Sequence, residues 1–284
     1  SAKYQAEGSS GIINIVLKEQ EKKGLNGSLS LNTGMPDNHS LGFSLSRRTD
    51  KFNLFTQGGV GYRSLPSYSS SKLKQTIGDT LFTLDNEGVE YRNETFYNIT
   101  LGADYHLNES SVITLAGSFA YEVESQPSNT EFLAYNDQEN GQNRWERLES
   151  TSATNPKYQY DLQYQKEFGG NEDHTLLIST LGSFFGKDQS SQFEIEQLEG
   201  SNGEDNQRTS TSYQRQDYTF KLDYAQPLGT AWSWEAGGQY DMNEVGNAFA
   251  VFNQEQGSYI PDSNFINDFT WDQKVLGLYS TGAY

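Results

Sequence analysis

Residues 97–121 read YNITLGADYHLNESSVITLAGSFAY: two apolar runs of period two around one short turn. Tyr97, Ile99, Leu101, Ala103, Tyr105 and Leu107 fall on one face of the first run, and Asn98, Thr100 and Asp104 fall on the other. After Asn108-Glu109-Ser110 the alternation resumes with Ile113, Leu115, Gly117, Phe119 and Tyr121. Successive side chains of a strand point to opposite faces, so this stretch predicts an antiparallel hairpin with one apolar and one wet face.

The same pattern recurs along the chain, and helical periodicity is almost absent. Leu25–Leu31 and Leu41–Ser46 are shorter cases. Phe52, Leu54, Thr56, Gly58, Val60 and Tyr62 form one face of a third strand. Later faces are marked by Tyr158 to Phe168, Leu176 to Phe184, Tyr218 to Tyr224 and Trp232 to Tyr240, and a last strand spans Val275–Tyr284. Opposite faces carry residues such as Asp161, Gln163, Thr219, Lys221 and Asp223. Many runs exceed the usual strand of about five or six residues. They approach the ~9–11 tilted residues that cross a bilayer.

The connections alternate in length. Turns are tight at Arg48-Thr49-Asp50, Asn108-Glu109-Ser110, Gly169–Asp173 and Gln226–Gly229. At the other end, after a short tip at Gly34–Asn38, stretches near 66–88, 122–155, 190–210 and 243–272 read as long polar loops. Short turns at one end and long loops at the other are the arrangement of a bacterial outer-membrane barrel. Aromatics at strand ends, such as Tyr62, Tyr97, Tyr105, Phe168, Tyr224, Trp232 and Tyr240, suit girdles at two membrane interfaces. The predicted fold is all-β: an antiparallel up-and-down meander of about ten long strands, an incomplete part of a transmembrane β-barrel.

Composition agrees once the pattern is known. Hydrophobic residues are only 34% and mean hydropathy is −0.76, values that alone suggest a soluble or disordered chain. Yet 18 Tyr, 16 Phe and 4 Trp are too many aromatics for a disordered acidic chain. The net charge of −18 argues against nucleic acid as a partner, because a phosphate backbone needs a basic stripe. The four long stretches hold 20 of the 38 acids but only 5 of the 20 bases, so the acidity belongs mainly outside the membrane. With no cysteine there are no disulfides, thiolate metal sites or cysteine nucleophiles.

Residues 1–18 carry a different signal. Ala2-x-Tyr4, Ala6-x-Gly8 and Gly11-Ile12-Ile13-Asn14-Ile15-x-Leu17-Lys18 resemble the end of the plug domain in TonB-dependent outer-membrane receptors. Gly24-Leu25-Asn26-Gly27-Ser28, after a basic linker, is similar to the first barrel strand of those proteins. The resemblance implies residues 1–20 as the C-terminal end of a plug and 21–284 as barrel strands 1 to about 10. It implies an internal fragment of an energy-dependent transporter for a siderophore, glycan or peptide. Its expected partners are outer-membrane lipid, that ligand and, in the full-length protein, the TonB complex, whose contact region is absent here.

Chemical signals are sparse. His39, His106 and His174 each sit beside a tight turn and cannot share one site. Asn136–Gly141 echoes a calcium loop, but the twelfth position is Arg147 rather than Glu, so the EF-hand template fails. No catalytic motif is present, and we expect no enzyme activity, cofactor or metal. Aromatics in the expected loops, namely Tyr68, Phe132, Tyr135, Trp145, Tyr259 and Trp271, are the candidate ligand contacts. Two other classes remain open at this point. An enzyme on a small complete barrel needs catalytic groups converging at the loop end. A secreted soluble β-rich adhesin or structural protein needs the apolar faces packed on each other.

Overall fold

A computed structural model describes residues 24–137, 142–200 and 205–284. The expected plug end, residues 1–20, lies outside the described residues. The strands are β1 (Gly24–Gly34), β2 (Asn38–Arg48), β3 (Phe52–Ile77), β4 (Thr80–Asn108), β5 (Ser111–Asn136) and β6 (Gln142–Phe168). They continue as β7 (Asn171–Glu199), β8 (Gln207–Leu228), β9 (Trp232–Glu255), β10 (Ser258–Pro261) and β11 (Asn267–Ala283). All pairings are antiparallel between chain neighbours, except that β10 and β11 both pair with β9, at successive levels, around a 3-10 turn at Ser263–Phe265. Among the described residues β1 and β11 do not pair, so the sheet is open.

Tight turns fall where the sequence predicts them. The opposite end departs from expectation. The stretches read as long loops are mostly strand: β3 and β4 stay paired from Phe52↔Tyr105 to Ile77↔Thr80, and β5 pairs β6 up to Tyr135↔Gln142. The physical reason is that Ser, Thr, Tyr and charged residues support a hairpin in water through cross-strand contacts. Lys72 meets Asp85 at 2.9 Å, and Asn129 Nδ2 donates to Glu146 at 2.6 Å. Apolar alternation reports where the membrane is, not where the strand ends.

The register shows how the strands lie in that membrane. The row of partners from Gly58 runs through Ile99, Phe119, Tyr158 and Phe184, then reaches Gln216, Glu244 and Asp272 on β8, β9 and β11. On those last strands the apolar side chains (Phe220, Leu222, Tyr240, Leu276, Leu278) lie nearer the tight turns. The apolar belt therefore crosses the hydrogen-bonded rows obliquely, as the tilt and stagger of barrel strands require.

The two faces also differ in curvature. On the apolar face Leu101 is 54% and Leu278 74% exposed. On the polar face Glu94, Glu124, Thr151, Asn155 and Ser191 are buried. Side chains crowd on the inside of a bent sheet and splay on the outside. The polar face is the concave one, facing a lumen, and the apolar face is convex, facing lipid.

Close approach on the concave side depends on glycine. A Cβ at Gly102 would lie 2.0 Å from the Phe55 ring, which lies across that position. Gly237 serves the same purpose for Tyr279. Aromatic rings that cover strand glycines restore the contact area that the missing side chain removes.

Candidate functional site: the concave polar face

At the level of the belt the concave face carries carboxylates held by neutral donors and lysine. Asp104 accepts from Asn53 Nδ2 and Thr114 Oγ1, both at 2.9 Å. Asp241 accepts from Thr219 Oγ1 at 2.7 Å and from Gln239 Nε2 at 2.8 Å. Asp223 pairs with Lys221 at 2.9 Å and accepts from the Tyr279 hydroxyl, which reaches across β9.

Nearer the hairpins the charges are deeper. Glu94, only 6% exposed at its side chain, pairs with Arg63 and with Arg92, the latter at 3.5 Å. Glu124 is held by Asn155, by Gln126 at 2.9 Å and by Lys187 at 3.9 Å. Asn155 also donates to Glu122 at 3.3 Å, and Lys157 lies 3.6 Å from that carboxylate. Buried charges are tolerable only when paired in this way. The result is a wet surface of paired charges and carboxamides spanning at least β3 to β7.

The six candidate aromatics divide between the two faces. Phe132 and Trp145 stack on the concave side with centroids 5.1 Å apart. Trp145 is 6% exposed and its buried indole nitrogen has no hydrogen-bond partner. Trp271 is on the same face, opposite Val245. Tyr68 is on the convex side, and Tyr135 donates from its hydroxyl to Asp85 at 3.4 Å there, with Lys72 near its ring. Tyr259 is capped by the Arg208 guanidinium at 3.9 Å, also on the convex side. These residues do not form one site.

Glu94, Glu122, Glu124, Lys157 and Lys187 are absent from the sequence-derived set. They lie just past the belt, and extending the strand parity a few residues beyond Tyr97, Tyr121, Tyr158 and Phe184 puts them in line with Asn98, Ser118, Gln159 and Ser183. The histidines remain apart. His39 Nδ1 is 2.8 Å from Thr33 Oγ1, and His174 Nε2 is 2.9 Å from the Tyr224 hydroxyl. Residues 138–141 of the calcium-like stretch lie outside the described residues.

Residues 166–284 match the outer membrane protein beta-barrel family. The chain forms the wall of a multi-pass outer-membrane β-barrel. The match covers β7 to β11, under half of the chain, and the same tilted belt and wet concave face continue through β1 to β6. No curated protein matches the chain. In the outer-membrane frame the tight turns are periplasmic, and the long hairpins stand outside the cell.

On the outside of those hairpins Arg144 meets Glu131 at 2.6 Å. The hydrogen bond and charge of Arg144 hold the Glu131 carboxyl below its ordinary value. A depressed carboxylate contributes stability above its ordinary pKa and loses it as pH falls through the depressed one. Arg144→Ala is expected to return Glu131 to the usual carboxylate range, read by carboxyl-carbon NMR titration in detergent. An unchanged titration would show that the pair does not form.

Proposed function

We propose that this barrel wall belongs to a transporter that takes up a polar ligand across the outer membrane. The observation that carries the reading is the concave face: charged and carboxamide groups run from the belt up into the hairpins, with carboxylates paired to fixed partners. Such a surface offers a solute many exchangeable hydrogen bonds without one deep trap. The Gly8–Lys18 resemblance adds a plug that would close the lumen. On this reading the hairpins capture the ligand, and a periplasmic pull through TonB displaces the plug. The ligand class is siderophore, glycan or peptide, for which the concave aromatics Phe132, Trp145 and Trp271 are the candidate contacts.

The test is conductance of the full-length protein in planar bilayers. Deleting the plug segment that ends at Lys18 is expected to convert a closed barrel into one with stable open steps. If the intact and plug-deleted proteins conduct alike, the plugged-transporter reading fails.

A further inference from the structure

On the convex face, Arg47 interrupts an apolar row. Its cross-strand partners are Leu25 and Leu54, both exposed toward lipid, and the row continues through Ala103, Leu115 and Leu162. Arg47 is exposed, and no carboxylate among the described residues pairs with it. A guanidinium does not lose its proton, so it meets lipid as a cation. Its level is set by its neighbours. One row toward the tight turns, Phe52 and Tyr105 stack at 4.7 Å as part of the girdle, and the β2–β3 turn follows at once. Arg47 therefore sits at the periplasmic interface, where an arginine costs ~0–1 kcal/mol rather than the ~2–4 of the bilayer centre.

A groove of about 730 Å³ opens beside it. Its floor is made of small residues, Thr56, Ala103 and Gly117, and Leu54, Leu101 and Leu115 stand along it. The volume lies in the ~300–1,000 Å³ range of sites for small organic ligands. A second apolar groove of about 510 Å³, spanning β5 to β11, has no cation at its rim. Its one lysine, Lys221, belongs to the concave face and pairs with Asp223.

We infer that the first groove is a binding site for a glycerophospholipid of the periplasmic leaflet, with an acyl chain in the groove and the phosphate on Arg47. An unpaired cation at the headgroup level and an apolar channel running toward the bilayer centre complement the two ends of that molecule. Arginine binds phosphate through two parallel N–H···O bonds, which a bulk lipid contact does not supply. The inference rests on the membrane placement of the belt and is independent of the uptake reading.

The test uses the full-length protein in detergent, with phosphatidylglycerol as probe and native mass spectrometry as readout. Wild type is expected to retain the lipid. Arg47→Gln is expected to bind about tenfold more weakly, the size of one charge-assisted hydrogen bond. Arg47→Lys keeps the charge but not the paired N–H bonds, so its affinity is expected to fall between those of wild type and Arg47→Gln. Gly117→Leu fills the groove and abolishes retention; a Cβ there meets only the Gln159 carbonyl, at 3.6 Å, so the backbone tolerates it. Heat-modifiable migration confirms that each variant is folded. Equal retention by Arg47→Gln, or equal binding of diacylglycerol without phosphate, overturns the site. Preference for lipopolysaccharide over phosphatidylglycerol overturns the leaflet and with it the proposal.

Discussion

Leu101→Arg is expected to destabilise the folded barrel by about 2 to 4 kcal/mol, while Thr100→Arg, one residue away, costs less than about 1 kcal/mol. The contrast follows from the pleat. Leu101 is 54% exposed on the convex face, between Thr56 and Gly117 and well inside the belt, so a cation there must enter hydrocarbon. Thr100 faces the lumen between Gln57 and Ser118, where a guanidinium remains hydrated. Urea unfolding of the full-length protein in lipid vesicles reads both variants. The midpoint should fall for Leu101→Arg at an unchanged slope, since the surface exposed on unfolding is the same. Equal costs at the two positions would mean that the apolar face is buried against protein, as in the soluble alternative.

That pleat was legible in the sequence because the membrane enforces it. Lipid on one side and water on the other leave little freedom at Leu101 or Phe220, so period two survives without interruption through the belt. The tight turns were legible for a related reason. Gly169, Gly170 and Gly229 take positive φ in short connections, a conformation that costs glycine little. The extent of the strands was not legible. Above the belt both faces of a hairpin meet water, so Ser64–Ser71 carries no apolar alternation, the Phe193/Ile195 pair in Ser190–Glu199 is too short to mark a strand, and both read as loops. Their pairing depends on cross-strand partners distant in sequence, such as Ser64 with Asn93 or Ser191 with Thr151. The aromatic candidates divide between the faces for the same reason: once their segments are strands, parity assigns Phe132 and Trp145 to the lumen and Tyr68 and Tyr135 to the outside. Arg47 was only partly legible. Period two puts it in line with Leu41, Phe43 and Leu45, but its place in the lipid-facing row between Leu25 and Leu54 comes from the register.

Gly237→Val is the second large effect expected, at about 3 kcal/mol or more, from two additive causes. A Cβ at Gly237 would lie 2.4 Å from the Leu222 carbonyl oxygen and 2.7 Å from the Tyr279 ring. The first contact is with backbone, which cannot rotate away, so the sheet must shift; overpacking of this kind costs about 1 to 3 kcal/mol. The second contact displaces Tyr279, whose hydroxyl crosses β9 to reach Asp223 on β8. Losing a hydrogen bond to a charged acceptor adds about 1.5 to 3 kcal/mol. Tyr279→Phe separates the terms, since it removes the hydroxyl and leaves the glycine, and it should show only the second. Gly282→Val is the control: it lies in β11 near the same periplasmic end, and a Cβ there meets nothing within 4 Å. Its effect should stay within about 0.5 kcal/mol. All three are read by the same vesicle unfolding. If Gly237→Val behaves like Gly282→Val, then Tyr279 does not cross the glycine, and β8, β9 and β11 are joined by backbone pairing alone.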